Sequence, residues 1–231
     1  MSATSGADLT PAVSRGLELQ AAHMRECLAA GERRVGWKVG LNDPRVQRAL
    51  GIAAPVIGYI ASGTVVPGGG AHSLAGATRP AIEPEVAIHI GADGEIAGLG
   101  TALEVIDVDM SFEDVTAILE RNVFHRAAVI GAPATGVTGV TGLTARMTRT
   151  GAEGVQIDVA EAALDPTEVV RLVGAYLDAV GDKLRAGDVI ISGSLVTAAP
   201  LGEDERIGLE IDGLPPVSLE ATSQSSSSRS P

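Results

Sequence analysis

Three glutamates carry the clearest chemical signal in the sequence. Glu83 and Glu85 lie in the segment Arg79–Ile90, and Glu104 lies in Thr101–Asp109. Side chains alternate between the two faces of a strand, so Glu83 and Glu85 should share one face about 7 Å apart. Glu104 should share its own face with apolar residues, where a carboxylate without a partner would be costly. A hard cation such as magnesium, manganese or calcium would neutralise three converging carboxylates.

A solvated surface is the alternative interpretation of the same spacing. A Glu-x-Glu pair on the polar face of a half-buried strand is common without any bound ion. Glu104 favours the metal site, because glutamate is rarely buried without a partner.

Lys38 and His125 are further candidates for chemistry. Lys38 lies in a short predicted strand between Gly36 and Gly40, which could let it approach a ligand closely. A desolvated lysine loses its proton readily, although most lysines are simply solvated. His125 follows a predicted helix end, where a favourable interaction with the helix dipole is the simpler explanation.

Two weaker candidates accompany them. The turn Ser192-Gly193-Ser194 follows a buried strand and could offer backbone N–H groups to a carboxylate, or simply reverse the chain. His89 should lie on the same strand face as the first two glutamates, either orienting a ligand or lying on a polar surface. The sequence contains no Gly-x-Ser-x-Gly pattern of a nucleophile elbow.

The glutamates are expected on two central strands, Ile82–Ile90 and Ala97–Asp109, joined by a turn at residues 91–94. Helices are expected to start at Thr10, Asp43, Ser111 and Asp165, each of which can cap a first turn. The third helix should span Ser111–Arg121, and the apolar face of the fourth should extend to Leu184. Further strands are predicted at Trp37–Leu41, Val56–Ile60, Asp188–Leu195, Ile207–Ile211 and Val217–Ala221, with tight turns and β-structure between 127 and 159.

These elements predict an α+β fold dominated by mixed or antiparallel sheet. The chain has 231 residues and 45% apolar content, which is ample for one packed core. We expect residues 10–221 to form a single catalytic domain. Residues 1–9 and the serine-rich stretch 222–231 are expected to be disordered.

Composition excludes several classes of function. The formal net charge of −12 and an aromatic content of 2% disfavour binding to nucleic acids. The single cysteine, Cys27, rules out a disulfide framework within one chain and suits a reducing cytoplasm. We expect a cytoplasmic protein that is neither exported nor membrane-bound.

Several motifs, taken in order, resemble the 2-keto-4-pentenoate hydratase and 2-oxo-hexenedioate decarboxylase group of the fumarylacetoacetate hydrolase superfamily. The resemblance spans about residues 20–220, and its specific part is the Glu-x-Glu motif with the later Leu-Glu pair. The matching segments are Gly36–Leu41, Val46–Gly51, Ile82–Ala87, Ala102–Ile106, Val129–Pro133 and Gly187–Leu195.

The resemblance implies a mixed β-roll and an Mg²⁺ or Mn²⁺ ion held by Glu83, Glu85 and Glu104. It implies a hydratase that converts a 2-hydroxy-2,4-dienoate into a 4-hydroxy-2-oxo acid during aromatic-compound breakdown. Lys38 would hold the substrate oxygen or move its proton. Contacts to this small acid are expected from Gly40, Leu41, Ser192, Gly193 and Ser194.

Two departures from the family pattern leave alternatives open. The family's aspartate falls at or near Ser62-Gly63, where this chain has no carboxylate. Asn122-Val-Phe-His125 stands where the hydratases usually have Asn-Ala-Ser, so His125 either replaces the missing acid and base or reshapes the pocket. The alternatives are a decarboxylase of a 2-oxo-3-hexenedioate, a C–C hydrolase, and a non-catalytic metal-binding subunit. We expect a homo-oligomer or a complex with a paralogue.

Overall fold

The computed structural model describes residues 10–223. The helices are α1 (Pro11–Ala29), α2 (Pro44–Leu50), α3 (Val115–Glu120), α4 (Val159–Ala162) and α5 (Pro166–Ala179), with 3-10 turns at Ser62–Thr64 and Asn122–Phe124. The strands are β1 (Arg34–Gly40), β2 (Val56–Ala61), β3 (Ala71–Ser73), β4 (Pro80–Ile90), β5 (Ile96–Asp107), β6 (His125–Ile130), β7 (Ala134–Thr135), β8 (Thr144–Arg149), β9 (Ala152–Asp158), β10 (Val189–Ile191), β11 (Ala199–Pro200), β12 (Arg206–Ile211) and β13 (Val217–Thr222). Disorder is predicted for residues 1–9 and 222–231. Residues 1–9 and 224–231 lie outside the described part, whereas Thr222 is the last residue of β13.

The strands form two mixed sheets. The larger sheet has the order β2-β1-β10-β4-β5-β6, with β11 paired to β4 and β7 paired to β5. The smaller sheet has the order β3-β13-β12-β8-β9. The pairs β1–β10 and β3–β13 are parallel, whereas the other pairs are antiparallel. This architecture confirms the α+β fold predicted from the sequence.

The main hydrophobic core joins residues of both sheets and of α5. Ile82, Val86 and Ile88 contribute from β4, where they occupy the alternate positions predicted for the apolar face. A second, smaller cluster contains Ala87, Ala102 and other residues of the opposite face of the larger sheet. The two faces of β4 therefore have different environments, and the glutamates lie on the second face.

The helix starts follow the predicted capping residues, with one correction. Thr10, Asp43 and Asp165 each accept a backbone N–H of the first turn. The helix predicted over Ser111–Arg121 is shorter, because Asp114 is the N-cap and accepts from the Ala117 N–H. Its predicted buried stripe is present on α3.

The predicted apolar face of the last helix is also too long. Helix α5 ends at Ala179, and the side chain of Val180 is 49% exposed. Gly181 adopts a positive φ of 75° just after the helix, which ends the α-helical path before Leu184. Within residues 10–223, no helix is both long and apolar enough to cross a membrane.

Gly36 has a packing role that differs from the predicted approach to a ligand. A Cβ atom built on Gly36 would lie 1.8 Å from the carbonyl oxygen of Val189 on the parallel strand β10. The missing side chain therefore lets β1 and β10 pair at this position. This close contact lets β1 lie between β2 and β10 in the larger sheet.

Gly36→Ala should destabilise the fold by about 3 kcal/mol or more, because the clash is with backbone that cannot move without breaking strand pairing. Urea denaturation of the purified variant would measure the change. Gly174→Ala is the matched control, since a Cβ there meets no atom within 4 Å and lies inside α5. The control should be neutral or more stable by up to about 1 kcal/mol. Equal stability of the two variants would contradict this account of Gly36.

Candidate metal centre

The antiparallel pairing of β4 and β5 brings three carboxylates together. Glu83 stands directly opposite Glu104, and Glu85 stands opposite Ala102. One ligand atom from each of Glu83, Glu85 and Glu104 lies within 4.8 Å of the other two. The face alternation predicted from the sequence thus produces a cluster of three oxygen ligands.

Two of the carboxylates have one oxygen engaged and one oxygen without a partner. Glu104 Oε1 accepts from Lys38 Nζ and is 2.7 Å from His125 Nδ1, while Glu85 Oε2 accepts from the Gly193 N–H at 2.7 Å. Glu104 Oε2 and Glu85 Oε1 are buried and have no hydrogen-bond partner among the described residues. Buried oxygens without a donor are costly, so this arrangement fits a hard divalent cation.

Burial and mutual repulsion make two of the three carboxyl groups poor acids. Burial and the charge of Glu104 raise the pKa of Glu83 to about 7. Burial, Glu104 and Glu83 raise the pKa of Glu85 well above its ordinary value. Burial also opposes ionisation of Glu104, but Lys38 and His125 overcome it and hold its pKa below the ordinary value. Lys38 and His125 therefore both contact the same carboxylate, that of Glu104.

Lys38 is buried at the centre of β1, with its side chain 2% exposed. It stands opposite Gly58 on β2, where a Cβ would lie 2.7 Å from Lys38 Cγ. Its ammonium group donates to Glu104 and to the carbonyl oxygen of Val123, the latter at 3.1 Å. Gly40 also makes room, since a Cβ there would lie 2.6 Å from Val123 Cγ1. Gly58 and Gly40 therefore leave space for the side chain of Lys38 and for the adjoining turn. The sequence had instead suggested that the glycines beside Lys38 let it approach a ligand closely.

The turn Asn122–Phe124 has an unusual backbone. All three residues have positive φ values, between 51° and 66°, which is uncommon for non-glycine residues and costly for a β-branched valine. The side chain of Asn122 holds the turn, because it accepts from the Tyr59 N–H at 2.9 Å and donates to the Tyr59 carbonyl at 2.8 Å. This clamp fixes the Val123 carbonyl that Lys38 contacts.

A cavity of about 110 Å³ adjoins this cluster. Among the predicted site residues, Lys38, Glu83, Gly40, Leu41 and Ser194 line it. Eight other lining residues were not predicted from the sequence, because most of them are apolar and belong to no chemical motif. These are Val39, Asn42, Ile106, Val108, Phe112, Val123, Phe124 and Ala198.

His125 lies on a different cavity. Its Nδ1 contacts Glu104, its Nε2 is 2.9 Å from Thr64 Oγ1, and its side chain is 2% exposed. It lines a cavity of about 500 Å³ that shares no lining residue with the smaller one. The catalytic role predicted for His125 stays a prediction, and its geometry makes it a partner of Glu104. The helix-dipole explanation does not describe it, because its ring contacts a carboxylate.

The other predicted residues have structural partners. The backbone N–H of Gly193 binds a carboxylate, as the turn suggested, but it is that of Glu85. Ser192 is buried, and its Oγ accepts from the Val86 N–H at 3.3 Å. His89 Nε2 is 2.9 Å from the Gly131 carbonyl. Ser192, Gly193 and His89 are not among the lining residues of the smaller cavity.

A carboxylate does lie beside the segment where the family's aspartate is missing. Glu32 Oε2 accepts from the Gly63 N–H at 2.8 Å, and a Cβ on Gly63 would lie 2.7 Å from that oxygen. Glu32 lines the larger cavity together with Thr64 and His125. Sequence reasoning missed Glu32 because it comes from the loop after α1, far from Gly63 along the chain.

Comparison with known proteins gives similar relatives over most of the chain. The chain is 27% identical over 226 residues to 2-hydroxyhexa-2,4-dienoate hydratase of Comamonas testosteroni, covering 89% of this chain and 84% of that protein. It is 28% identical over 204 residues to 2-keto-4-pentenoate hydratase of Burkholderia vietnamiensis, covering 80% and 76%. The resemblance to the hydratase group is confirmed. No family model matches the chain.

The solved structure of a decarboxylase has the same fold as this chain. The 4-oxalocrotonate decarboxylase of Pseudomonas putida G7, complexed with magnesium and adipate, aligns with a TM-score of 0.81 and 23% identity. The alignment covers 93% of this chain and 87% of that chain. Hydratases and a decarboxylase are therefore both among the proteins similar to this chain, and the solved decarboxylase structure contains magnesium. In this chain the cluster of three glutamates supports the divalent metal predicted from the sequence.

Metal binding should weaken as the pH falls below about 7. Because the pKa of Glu83 is about 7 and that of Glu85 is also raised, an ion must displace protons at lower pH. With these raised values, the metal-free fold is most stable below the pKa that the carboxyl groups have in the unfolded chain. It loses stability as the pH rises through their pKa in the folded chain. The increase in melting temperature caused by Mg²⁺ should therefore be larger at pH 8 than at pH 6.

Glu83→Gln is the control for this pH dependence. It removes a buried charge, so the metal-free variant should be more stable than the wild type at pH 8, while Mg²⁺ affinity should fall at least about tenfold. Glu153→Gln makes the same change on exposed β9 and should alter neither quantity. An Mg²⁺ effect in Glu83→Gln equal to that in the wild type would remove Glu83 from the metal site.

Proposed function

We propose that this chain is a divalent-metal-dependent hydratase that converts a 2-hydroxy-2,4-dienoate into a 4-hydroxy-2-oxo acid. The reaction ketonises the dienol and adds water across C3 and C4, with the hydroxyl group on C4. The observation that carries the proposal is the cluster of Glu83, Glu85 and Glu104 beside Lys38, at a cavity of about 110 Å³. The similarity to two hydratases supports the same reaction.

The ion proposed for this site is Mg²⁺ or Mn²⁺, and its ligands are the three glutamates. All three ligands are oxygen atoms, which hard cations prefer over thiolate or imidazole ligands. When bound, the ion supplies Lewis-acid stabilisation of negative charge on a 2-oxo acid. The cavity is smaller than the roughly 300–1,000 Å³ of pockets for drug-sized ligands, so it suits a small acid of this kind.

Lys38 is proposed to hold the oxygen on C2 of the substrate or to move its proton during ketonisation. An ammonium group has three N–H donors, and Lys38 uses two of them on Glu104 and the Val123 carbonyl. The third donor is available on a side chain that lines the cavity. General acid–base transfer by a fixed side chain contributes about 10²- to 10⁴-fold to a rate.

His125 is proposed to orient Glu104 from behind the site. It contacts the carboxylate oxygen that Lys38 also contacts, and Thr64 holds its other ring nitrogen. The opposite oxygen of Glu104 then keeps one direction toward the ion. His125 and Thr64 do this without lining the smaller cavity.

Purified protein with Mg²⁺ should consume 2-hydroxypenta-2,4-dienoate, followed as a loss of the ultraviolet absorbance of the conjugated diene. Chelation of the metal should abolish the reaction, and added Mg²⁺ or Mn²⁺ should restore it. Carbon dioxide release from 2-oxohex-3-enedioate, measured in parallel, tests the decarboxylase alternative. Retained metal binding with turnover of neither compound would contradict the hydratase and favour a non-catalytic metal-binding subunit.

Lys38→Met should lower kcat about 100-fold or more while Mg²⁺ binding persists, because the variant removes the group that holds the substrate oxygen or moves its proton and keeps all three carboxylates. Removing one partner of a buried ion pair can cost about 3–5 kcal/mol, so circular dichroism with Mg²⁺ present must establish folding. Lys183→Met is the matched control, since Lys183 is the only other lysine in the sequence and is exposed. A folded Lys38→Met variant with wild-type turnover would exclude Lys38 from the mechanism.

A further inference from the structure

The smaller cavity has one charged region and one extensive apolar wall. Lys38 and Glu83 form the charged region. The apolar wall is defined here as the hydrophobic lining residues other than Val39 and Ala198, and it comes from β5, from the loop after it, from the strained turn and from the loop after β1. These residues are Leu41, Ile106, Val108, Phe112, Val123 and Phe124.

Most of the apolar wall belongs to a fixed hydrophobic cluster. Ile106, Val123 and Phe124 are buried members of this cluster, and Leu41 and Val108 pack against it. Phe112 is different, because it is 40% exposed while its ring packs edge-on against Phe124 with the centroids 5.3 Å apart. An exposed aromatic ring at a cavity gains stability when a hydrocarbon group covers it.

The apolar wall offers no counter-charge for a second carboxylate. Among the described residues, Lys38 is the only cation that lines the cavity, and its ammonium already binds Glu104. Two arginines do contact the loop from Val108 to Asp114, but neither lines the smaller cavity. Arg79 donates to the carbonyls of Val108 and Met110, and Arg121 pairs with Asp109. A carboxylate against the apolar wall would lose its hydration and gain no partner.

We infer that the apolar wall is the subsite for an uncharged hydrocarbon tail. The substrate would then be a dienoate whose far end is hydrogen or a small alkyl group, not a dicarboxylate. Phe112 is the specificity-determining residue, because it is the exposed member of the wall. The inference deepens the proposed function and rests on it, since it assumes that the charged region takes the 2-oxo acid end.

The first test compares substrates. With Mg²⁺, kcat/KM for 2-hydroxyhexa-2,4-dienoate should exceed that for 2-hydroxypenta-2,4-dienoate by about tenfold, the low end of what one methyl group contributes in an apolar pocket. Turnover of 2-oxohex-3-enedioate should be at least about 100-fold less efficient, because its second carboxylate is left unpaired. Equal or better turnover of the dicarboxylate would overturn the inference while leaving metal-dependent catalysis intact.

Variants of Phe112 test whether this residue determines the preference for an uncharged tail. Phe112→Ala should lower kcat/KM for the six-carbon dienoate more than for the five-carbon one, because the lost contact is with the tail. Phe112→Arg should raise the efficiency of the dicarboxylate relative to the six-carbon dienoate by about tenfold, through a new charge-assisted hydrogen bond. Val155→Arg adds the same charge at another exposed apolar position, on β9, and should leave the ratio unchanged. An unchanged ratio in Phe112→Arg would contradict the role of Phe112.

A binding test separates this inference from the proposed function. Calorimetry with Mg²⁺ would compare two unreactive saturated acids, 2-oxohexanoate and 2-oxohexanedioate. At least tenfold tighter binding of the monocarboxylate supports the apolar tail subsite even if no dienoate is hydrated, which would count against the hydratase alone. Equal or tighter binding of the dicarboxylate, lost in Arg79→Gln, would mean that Arg79 reaches the cavity and would overturn the inference. Binding of neither acid by metal-loaded protein would contradict both.

Discussion

Repulsion between three buried carboxylates is the constraint on which the rest of this structure depends. Glu83, Glu85 and Glu104 approach within 4.8 Å, and Lys38 is the ammonium group beside them. Three negative charges and one positive charge leave a net charge of −2 when all three carboxyls are ionised and His125 is neutral. A divalent cation would supply the matching charge. In the metal-free fold, burial and then the charge of Glu104 raise the pKa of Glu83 and Glu85, whereas Lys38 and His125 hold the pKa of Glu104 below its ordinary value.

The position of the Lys38 ammonium group beside Glu104 depends on three glycines whose lack of a side chain leaves the necessary space. Gly58 makes space for the stem of Lys38, and Gly36 lets the strand that carries it pair with β10. Gly40 leaves room for Val123, whose carbonyl accepts from the lysine. All three glycines therefore help to hold the side chain of Lys38 in its buried position. A buried ion pair contributes little net stability, so the arrangement is better understood as serving the chemistry of the site.

Local patterns predicted much of the fold and the central part of the candidate site. Alternation along a strand is a period-two property of the sequence, which is why the shared face of Glu83 and Glu85 could be anticipated before the pairing of β4 and β5 was known. The position of Glu104 beside them depends on that pairing. Capping residues such as Asp165 are equally local. By contrast, the helix predicted from Ser111 starts later, because Asp114 is the residue that accepts the backbone N–H of the first turn.

The features that escaped prediction depend on contacts between distant segments. Position 36 requires glycine because the carbonyl of Val189 lies where a Cβ would be. The hydrogen bonds of Asn122 to the Tyr59 backbone hold a turn of three residues with left-handed backbone angles, which no local propensity favours. That turn divides the site, because Asn122 lines the larger cavity whereas Val123 lines the smaller one. His125 contacts Glu104 from the larger cavity. Changes on that side can therefore alter the electrostatics of the glutamate cluster without changing the residues that line the smaller cavity.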